Sequence, residues 1–246
     1  MSGRTAWQAA FLDGDAPCAV RAVCEAWTTL VLTSPDTVNP GKRENHLTEI
    51  LGEYLRGAKA QWHLTGDWSY EHRQGRLRRA TATGMTVTHR KRTDIRYFSN
   101  ARLPALELIF EFKFLDHSSG KRRTYVKEGL RRFLDGDYSQ GQPVALMAAM
   151  LTVHRDDALP PLRRWLAGPK AHHQLDMACE RGRQVRDPSA LFPAHAAFDT
   201  EHLRDPDKAP AHGTIVVSHL FLEFPNPPRA EGKRARRNAL HDALEL

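Results

Sequence analysis

The amino-acid sequence predicts a mixed α/β domain, in which helices flank a central sheet whose first strands are antiparallel. Apolar residues recur at helical spacing in the first 55 residues, alternate along one long strand, and then form a continuous run typical of a buried strand. The order of helix, strands, helix, strand, helix and strand is typical of one mixed α/β unit. With 246 residues, the chain is long enough to bury a core without disulfide bonds.

Two amphipathic helices are predicted at the start of the chain. The first lies within the first forty residues and has an apolar stripe of Val20, Val23, Trp27 and Leu30. Turn residues before position 41 end this unit. The second helix runs from about residue 43 to residue 55, and Gly57 ends it. Its apolar stripe comprises Leu47, Ile50, Leu51, Tyr54 and Leu55.

The strands begin in a basic stretch over residues 60–100, where we expect an antiparallel run with strands near 81–89 and 93–98. The clearest strand follows over residues 104–115. Because side chains alternate across a strand, its two faces carry different sets of residues. Leu106, Leu108, Phe110, Phe112 and Phe114 form one face, and Ile109, Glu111 and Lys113 form the other.

The second half of the chain predicts four more elements. A basic amphipathic helix covers about residues 124–134, with Val126, Leu130, Phe133 and Leu134 pointing inward. A buried strand over 144–153, a helix over 160–182, a loop over 186–212 and a last strand over 214–224 follow. We divide the chain into an N-terminal helical segment (1–40), a main domain (41–225, core 43–153) and a basic C-terminal tail (226–246).

Positive charge is concentrated in three segments of the chain. The net charge is +7, yet residues 71–96 carry +6, residues 121–132 carry +5 and residues 229–237 carry +4, so the remainder carries −8. A basic face on an otherwise acidic body indicates a polyanionic partner, and nucleic acid is the first candidate. Solvated arginine in an arginine-rich composition is the alternative.

Several classes of protein are disfavoured by the sequence. The longest fully apolar stretch, residues 144–151, is far shorter than the roughly 20 residues of a spanning helix, so we predict no membrane segment. Three cysteines without a CxxC motif argue against a disulfide scaffold and against a cysteine zinc site. The first ten residues lack the pattern of a signal peptide, and we therefore expect a cytoplasmic protein.

Two carboxylates and a lysine form the candidate site. Glu111 and Lys113 share one face of a strand, and Asp94 lies on the preceding strand, where it can sit beside Glu111. Two adjacent carboxylates repel unless a cation lies between them, and Mg²⁺ prefers hard oxygen ligands with open positions. The lysine can orient or help deprotonate an attacking water, or stabilise charge on a phosphate.

An acidic residue two positions before a lysine is common by chance, and the chain has a second example in Glu231-Gly232-Lys233. The first example differs because it lies in an apolar run, where unpaired buried charges cost on the order of several kcal/mol. A cross-strand salt bridge on a solvent-exposed face is the alternative. The flanking Ile109 and Leu115 disfavour an exposed face.

Glu44 extends the apolar stripe of the second helix, because it precedes Leu47 by three residues and Leu51 by seven. On this interpretation its carboxylate faces the core and can reach a metal directly or through water. The alternative is an acidic residue in the first helical turn, where the helix dipole favours negative charge.

These residues, in this order, resemble the PD-(D/E)xK nuclease superfamily. Glu44 on a helix, Asp94, then Glu111-x-Lys113 on a strand match its α-β-β-β-α-β core over about residues 43–153. The resemblance implies a restriction-endonuclease-like fold in which Asp94 and Glu111 bind Mg²⁺, with Mn²⁺ as a substitute. It also implies that Lys113 is catalytic and that Glu44 assists catalysis and metal binding. Thr93 stands where the proline of the motif would be.

Three basic side chains are candidates for nucleic-acid binding. Lys127 and Arg131 are four residues apart on the basic helix, and similar nucleases aim a basic or amide side chain from this helix at the scissile phosphate. Arg92 lies in the basic stretch before Asp94. A solvated helix surface is the alternative for the helical pair. His202 and His219 are candidate accessory residues.

The sequence therefore predicts a Mg²⁺-dependent endonuclease that acts on DNA. An RNA endonuclease with the same site, a catalytically inactive nucleic-acid-binding subunit and a purely structural subunit are the alternatives. The chain has no recognisable ATPase, helicase or base-reading module. By analogy, we expect a protein partner, as in a bacterial antiphage defence or DNA-processing system, or a homodimer.

Overall fold

The computed structural model describes residues 14–71, 73–79, 85–101, 105–178, 185–210 and 212–227, with only the backbone for 73–79 and 85–92. In this part of the chain, helices pack on both faces of a seven-stranded mixed sheet. The predicted α/β class with a mixed sheet between helices is confirmed. Within the same residues, no helix is long and apolar enough to cross a membrane.

In the described part of the chain, two helices cover one face of the sheet. They are α1 (Ala16–Thr33) and α2 (Glu44–Gly57), and a 3₁₀ turn (Lys59–Trp62) follows them. Both confirm the predicted amphipathic helices. Trp27 of α1 and Leu51 of α2 share one hydrophobic core with Phe110 and Phe112 of the sheet. The helix of the N-terminal segment therefore belongs to the same core as the helix that carries Glu44.

Three helices cover the opposite face. The first, α3, consists of an α-helical segment (Ser119–Thr124), a π-helical segment (Tyr125–Leu130) and a final α-helical turn (Arg131–Leu134). The other two are α4 (Arg155–Leu166) and α5 (Pro169–Gln174). The predicted inward residues of α3, which are Val126, Leu130, Phe133 and Leu134, are all buried. They pack in a second core with residues from the face of the sheet that these helices cover.

The strands are β1 (Asp67–Tyr70), β2 (Arg73–Arg79), β3 (Met85–Arg92), β4 (Ile95–Ser99), β5 (Leu106–Leu115), β6 (Val144–Leu151), β7 (Val185–Arg186), β8 (Ala196–Leu203) and β9 (Thr214–Glu223). Seven of them form a sheet in the order β1-β4-β5-β6-β9-β8-β7, and β2 and β3 form a separate two-stranded ribbon. Strands β5, β6 and β9 run parallel, and the other neighbours are antiparallel.

The alternation predicted for β5 is confirmed. Phe110 and Phe112 enter the core beneath α1 and α2, whereas Ile109 and Leu115 enter the core beneath α3 to α5. The strand thus has an apolar environment on both faces. Its charged pair, Glu111 and Lys113, lies on the second of these faces and is buried there.

The predicted strand near 93–98 corresponds to β4, and the one near 81–89 overlaps β3, although residues 81–84 lie outside the described residues. The sequence analysis did not separate β1 and β2 from the surrounding basic stretch. The predicted last strand matches β9. Most of the predicted tail, residues 228–246, lies outside the described part of the chain.

The loop predicted over residues 186–212 is wrong for β8. The neighbouring prolines and the polar composition of β8 favoured a loop, yet Asp199, Thr200 and His202 are fully buried within the strand. Their polar atoms find hydrogen-bond partners on neighbouring elements, so burial carries no large penalty. A strand that buries hydrogen-bonded polar residues lacks the apolar alternation on which the prediction depended.

The helix predicted over 160–182 is also corrected. Helix α4 begins earlier, at Arg155, and α5 ends at Gln174. Residues 175–178 are not helical, because Met177 forms a β-bridge with His202. Residues 179–182 lie outside the described residues.

Candidate active site

The candidate site lies where β5 extends beyond the end of β4. The ladder between these strands ends at Ile95 opposite Phe110, whereas β6 accompanies β5 as far as Leu115. One edge of β5 is therefore left without a neighbouring strand over its last residues. Asp94 directly precedes Ile95, and this register makes it the cross-strand neighbour of Glu111, as predicted.

Two carboxylates take the place of the missing strand. Asp94 Oδ2 accepts a hydrogen bond from the backbone N–H of Phe112 at 2.9 Å. Glu44 Oε2, at the start of α2, accepts one from the backbone N–H of Phe114, also at 2.9 Å. Buried backbone donors need such partners, so these bonds fix both carboxylates along the edge of β5.

Lys113 is the centre of the cluster. Its ammonium Nζ lies 2.7 Å from Glu44 Oε1 and 3.0 Å from Glu111 Oε1, and it donates to the carbonyl oxygen of Phe112 at 2.6 Å. The side chain is only 8% exposed. The structure therefore brings together all four predicted site residues, which come from α2, β5 and the turn before β4.

Glu111 is fully buried, and its two carboxylate oxygens differ. Oε1 lies within hydrogen-bonding distance of Lys113 Nζ and accepts from Arg132 Nη1 of α3 at 2.6 Å. Oε2 is buried and accepts no hydrogen bond from any described residue. A buried oxygen without a donor is costly, and it needs either a proton of its own or a further positive group.

The electrostatics of the cluster follow from its burial. Burial and the neighbouring charge of Asp94 raise the pKa of Glu111 to about 8. Burial also raises the pKa of Asp94, although Lys113 opposes this effect. For Lys113, burial lowers the pKa, but the carboxylates of Glu111, Asp94 and Glu44 together raise it above the usual value. Lys113 is therefore held as an ammonium ion, whereas a second negative charge beside Asp94 is disfavoured.

Arg132 is a site residue that the sequence analysis did not name. Besides Glu111, its guanidinium donates to the hydroxyl of Tyr138 at 3.0 Å. Arg131 instead bonds Asp135 and the carbonyl oxygen of Gln174, away from the cluster.

Of the other two predicted basic residues, the structure describes the side chain of Lys127 but not that of Arg92. Lys127 is exposed and lies on α3. The side chain of Arg92 lies outside the described residues, although its backbone is the last residue of β3. Their roles in nucleic-acid binding stay predictions.

Helix α3 approaches the stem of Lys113 closely at Gly129. A Cβ atom at this position would lie 3.3 Å from Cγ of Lys113 and 2.6 Å from Cε of Met147. The missing side chain thus lets the helix pack directly over Lys113. The open sides of the cluster are at Glu44, with 30% of its side chain exposed, and Arg132, with 27%.

A metal ion is compatible with part of this cluster. In the described residues, no group of three or more His, Cys, Asp or Glu side chains is arranged to hold a metal. Asp94 and Glu111 do converge, and Glu111 Oε2 has no donor. Mg²⁺ is often held by one or two carboxylates together with water and substrate phosphates. Two carboxylates therefore fit, whereas Glu44 is already bonded through both oxygens to β5 and Lys113.

His202 and His219 do not join this cluster. They belong to a separate buried chain of hydrogen bonds that links Tyr125 of α3, His219 of β9, Thr200 and His202 of β8, and the carbonyl oxygen of Leu175, at 2.8–2.9 Å throughout. Burial lowers the pKa of both histidines, that of His202 to about 4, so both are neutral. The predicted accessory residues thus connect α3 to the sheet.

The donor and acceptor in each of these hydrogen bonds follow from the carbonyl oxygen at the end of the chain of bonds. A carbonyl oxygen only accepts, so His202 donates through Nδ1, and its Nε2 accepts from the hydroxyl of Thr200. Thr200 has no second proton, so it accepts from His219 Nε2, and His219 Nδ1 accepts from Tyr125. Every member has one defined role, which holds the π-helical segment of α3 against β9.

The buried histidines in this chain of hydrogen bonds predict that the protein is less stable in acid. The folded protein holds both histidines with lowered pKa, whereas histidine in the unfolded chain ionises near pH 6.5. Protons therefore favour unfolding, and stability falls as the pH drops from about 6.5 towards 4, by about 2 kcal/mol from His202 between pH 7 and pH 5. Urea unfolding at several pH values measures this slope.

A variant of His202 tests whether the buried histidines cause this pH dependence of stability. His202→Gln removes one titrating group and should flatten the slope, even though the variant is less stable at pH 7. An unchanged slope in His202→Gln would contradict the assignment of neutral buried histidines.

Comparison with known proteins yields no relative. No protein-family model matches the chain, and neither a curated protein nor a solved structure matches it significantly.

Proposed function

We propose that this protein is a metal-dependent nuclease that hydrolyses phosphodiester bonds in DNA. The observation that carries the proposal is the cluster at the open edge of β5. There, Asp94 and Glu111 lie side by side, with a lysine ammonium 3.0 Å from Glu111. Paired oxygen ligands beside a fixed cation suit phosphodiester hydrolysis, in which negative charge develops on the phosphate.

The order of elements supports a restriction-endonuclease-like core. Helix α2, strands β1, β4 and β5, helix α3 and strand β6 follow one another in the α-β-β-β-α-β order of the PD-(D/E)xK superfamily. Strands β1, β4 and β5 are antiparallel neighbours, and β6 is parallel to β5. The ribbon of β2 and β3 is inserted between β1 and β4.

The charge balance of the cluster supports a divalent cation. Glu44, Asp94 and Glu111 provide three carboxylates, against the two cations of Lys113 and Arg132. Because burial raises the pKa of both Asp94 and Glu111, ionising the two together is costly, and a bound Mg²⁺ ion would offset that cost. When bound, the ion supplies a polarised phosphate oxygen and a more acidic water.

The remaining residues have distinct tasks in this proposal. Lys113, held as an ammonium, stabilises negative charge on the phosphate and does not accept a proton from water. Glu44 fixes the position of Lys113 and closes the edge of β5. Arg132 holds Glu111 in place through Oε1 and leaves Oε2 for the metal.

The test of the proposed function is cleavage of supercoiled plasmid by the purified protein in Mg²⁺, Mn²⁺ or EDTA. We expect nicking with either metal, no reaction in EDTA, and a loss of activity of about 10²-fold or more in Asp94→Ala. Asp67→Ala, at an exposed position on β1, is the matched control and should cleave normally. Metal-independent cleavage, or full activity in Asp94→Ala, would refute the proposed site.

RNA, used as a second substrate, distinguishes a DNA endonuclease from an RNA endonuclease. The same cluster can hydrolyse either nucleic acid, so labelled RNA of the plasmid's sequence is included as substrate and as competitor. Preferential cleavage of RNA would replace the DNA assignment and keep the chemistry.

A further inference from the structure

A β-ribbon leaves the sheet at the candidate site. The first pair of the β2–β3 ladder, Arg73 opposite Arg92, continues the register of the β1–β4 ladder, and a one-residue register shift follows between Arg73 and Gly75. Between the two ladders, the backbone N–H of Glu71 donates to the carbonyl oxygen of Asp94 at 3.0 Å. The two ladders therefore form one long hairpin, and Asp94 lies where this hairpin parts from the sheet.

The ribbon pairs with no other strand in the described part of the chain. Strand β2 has seven residues, which extend over ~23 Å at about 3.3 Å per residue. A two-stranded ribbon by itself is at best marginally stable in water. A ribbon of this length beside a functional site is therefore suited to contact a partner surface.

The charge of the ribbon defines the chemistry of that partner. The 15 residues of β2 and β3 include seven Lys or Arg residues and no Asp or Glu. Cross-strand partners share a face, so the pairs Arg76–Thr88 and Arg78–Thr86 belong to one face. The pair Leu77–Val87 belongs to the other. One face thus combines arginine with hydroxyl-bearing residues, the residue types that contact phosphate oxygens in nucleic-acid complexes.

We propose that the β2–β3 ribbon is a duplex-DNA-binding arm that lies along the major groove and presents the adjacent backbone to the site at Asp94. The major groove of B-form DNA is about 12 Å wide and admits a two-stranded ribbon. The major groove of an RNA duplex is deep and narrow and does not admit one. This arm rests on the proposed nuclease function, and it selects duplex DNA where the cluster alone allows either nucleic acid.

The test is binding of a fluorescent 30-bp DNA duplex in EDTA, followed by anisotropy over a range of salt concentrations. Arg76→Gln/Arg78→Gln should weaken binding roughly tenfold or more at 0.15 M salt and make the salt dependence shallower by about two counterions. Arg76→Lys/Arg78→Lys keeps the charge and should bind nearly as the wild type does. Circular dichroism checks that each variant is folded.

The matched control is Arg164→Gln/Lys170→Gln, which removes two exposed charges from α4 and α5. It should bind DNA as the wild type does. If both glutamine variants bind DNA like the wild type, or if both weaken it equally, the ribbon is not the DNA-binding arm. An RNA duplex bound as tightly as DNA, with the same dependence on Arg76 and Arg78, would also overturn the proposal.

Cleavage measured on the same samples separates this proposal from the proposed function. Ribbon-dependent binding without cleavage in any metal would support the arm and refute the nuclease. Metal-dependent cleavage with ribbon-independent binding would refute the arm and leave the nuclease intact.

Discussion

Lys113→Ala is expected to lower the rate of Mg²⁺-dependent DNA cleavage by about 10²- to 10³-fold. Lys113 is the ammonium that contacts Glu44, Glu111 and the backbone of β5, and it is nearly enclosed by α3. Its removal takes away the fixed positive charge that stabilises the transition state. Initial rates of plasmid nicking at saturating Mg²⁺ measure the effect.

The chain contains a matched control for this substitution. Lys233 belongs to the second tripeptide, Glu231-Gly232-Lys233, so Lys233→Ala removes the same type of residue from the same local pattern. It should cleave at the wild-type rate. Thermal unfolding of both variants checks that lost activity does not reflect lost folding. A folded Lys113→Ala variant with more than about a tenth of wild-type activity would contradict the role of Lys113.

Glu111→Gln is expected to abolish cleavage and to raise the free energy of unfolding at pH 7 by about 1–2 kcal/mol, because the carboxyl group of Glu111, with its pKa raised to about 8, takes up a proton when the protein folds at this pH. Glu111 is fully buried beside Asp94, and one of its oxygens has no donor among the described residues. Glutamine removes the ionisable carboxyl group but keeps an oxygen acceptor. Lys113 retains Glu44 as a partner and Arg132 retains Tyr138, so neither cation is left alone.

Urea unfolding and plasmid cleavage, measured on the same preparation, test both parts of this prediction. Glu107→Gln is the control, since Glu107 lies on the same strand and is paired with Arg96 outside the cluster. It should retain activity and be slightly less stable than the wild type. If Glu111→Gln is strongly destabilised, the carboxylate of Glu111 stabilises the fold through its ion pairs, and its assignment as a metal ligand that is costly to bury would be wrong.

The parts of the fold that depend on apolar periodicity were predictable from sequence. Glu111 and Lys113 could be placed on one strand face because five apolar residues alternate with them. Glu44 could be placed near them because it continues the stripe of α2. The structure brings these residues together through the side-chain hydrogen bonds that complete the edge of β5.

The parts that were missed depend on features without a periodic signal. Arg132 was missed because its contacts with Glu111 and Tyr138 arise from the folded structure, and the apolar stripe of α3 does not distinguish it from the neighbouring basic residues. Strand β8 was assigned to a loop because its buried polar residues are stabilised by partners distant in sequence, such as His219 for Thr200. Both cases depend on tertiary contacts.

Calorimetric titration of Mn²⁺ into the wild type and into Glu111→Gln measures whether Asp94 and Glu111 bind a metal ion. The account predicts that the wild type binds Mn²⁺ through Asp94 and Glu111 and that binding is lost in Glu111→Gln, with Glu107→Gln unchanged. Equal binding by the wild type and Glu111→Gln, or no binding by either, would contradict the claim that these two carboxylates form a metal site.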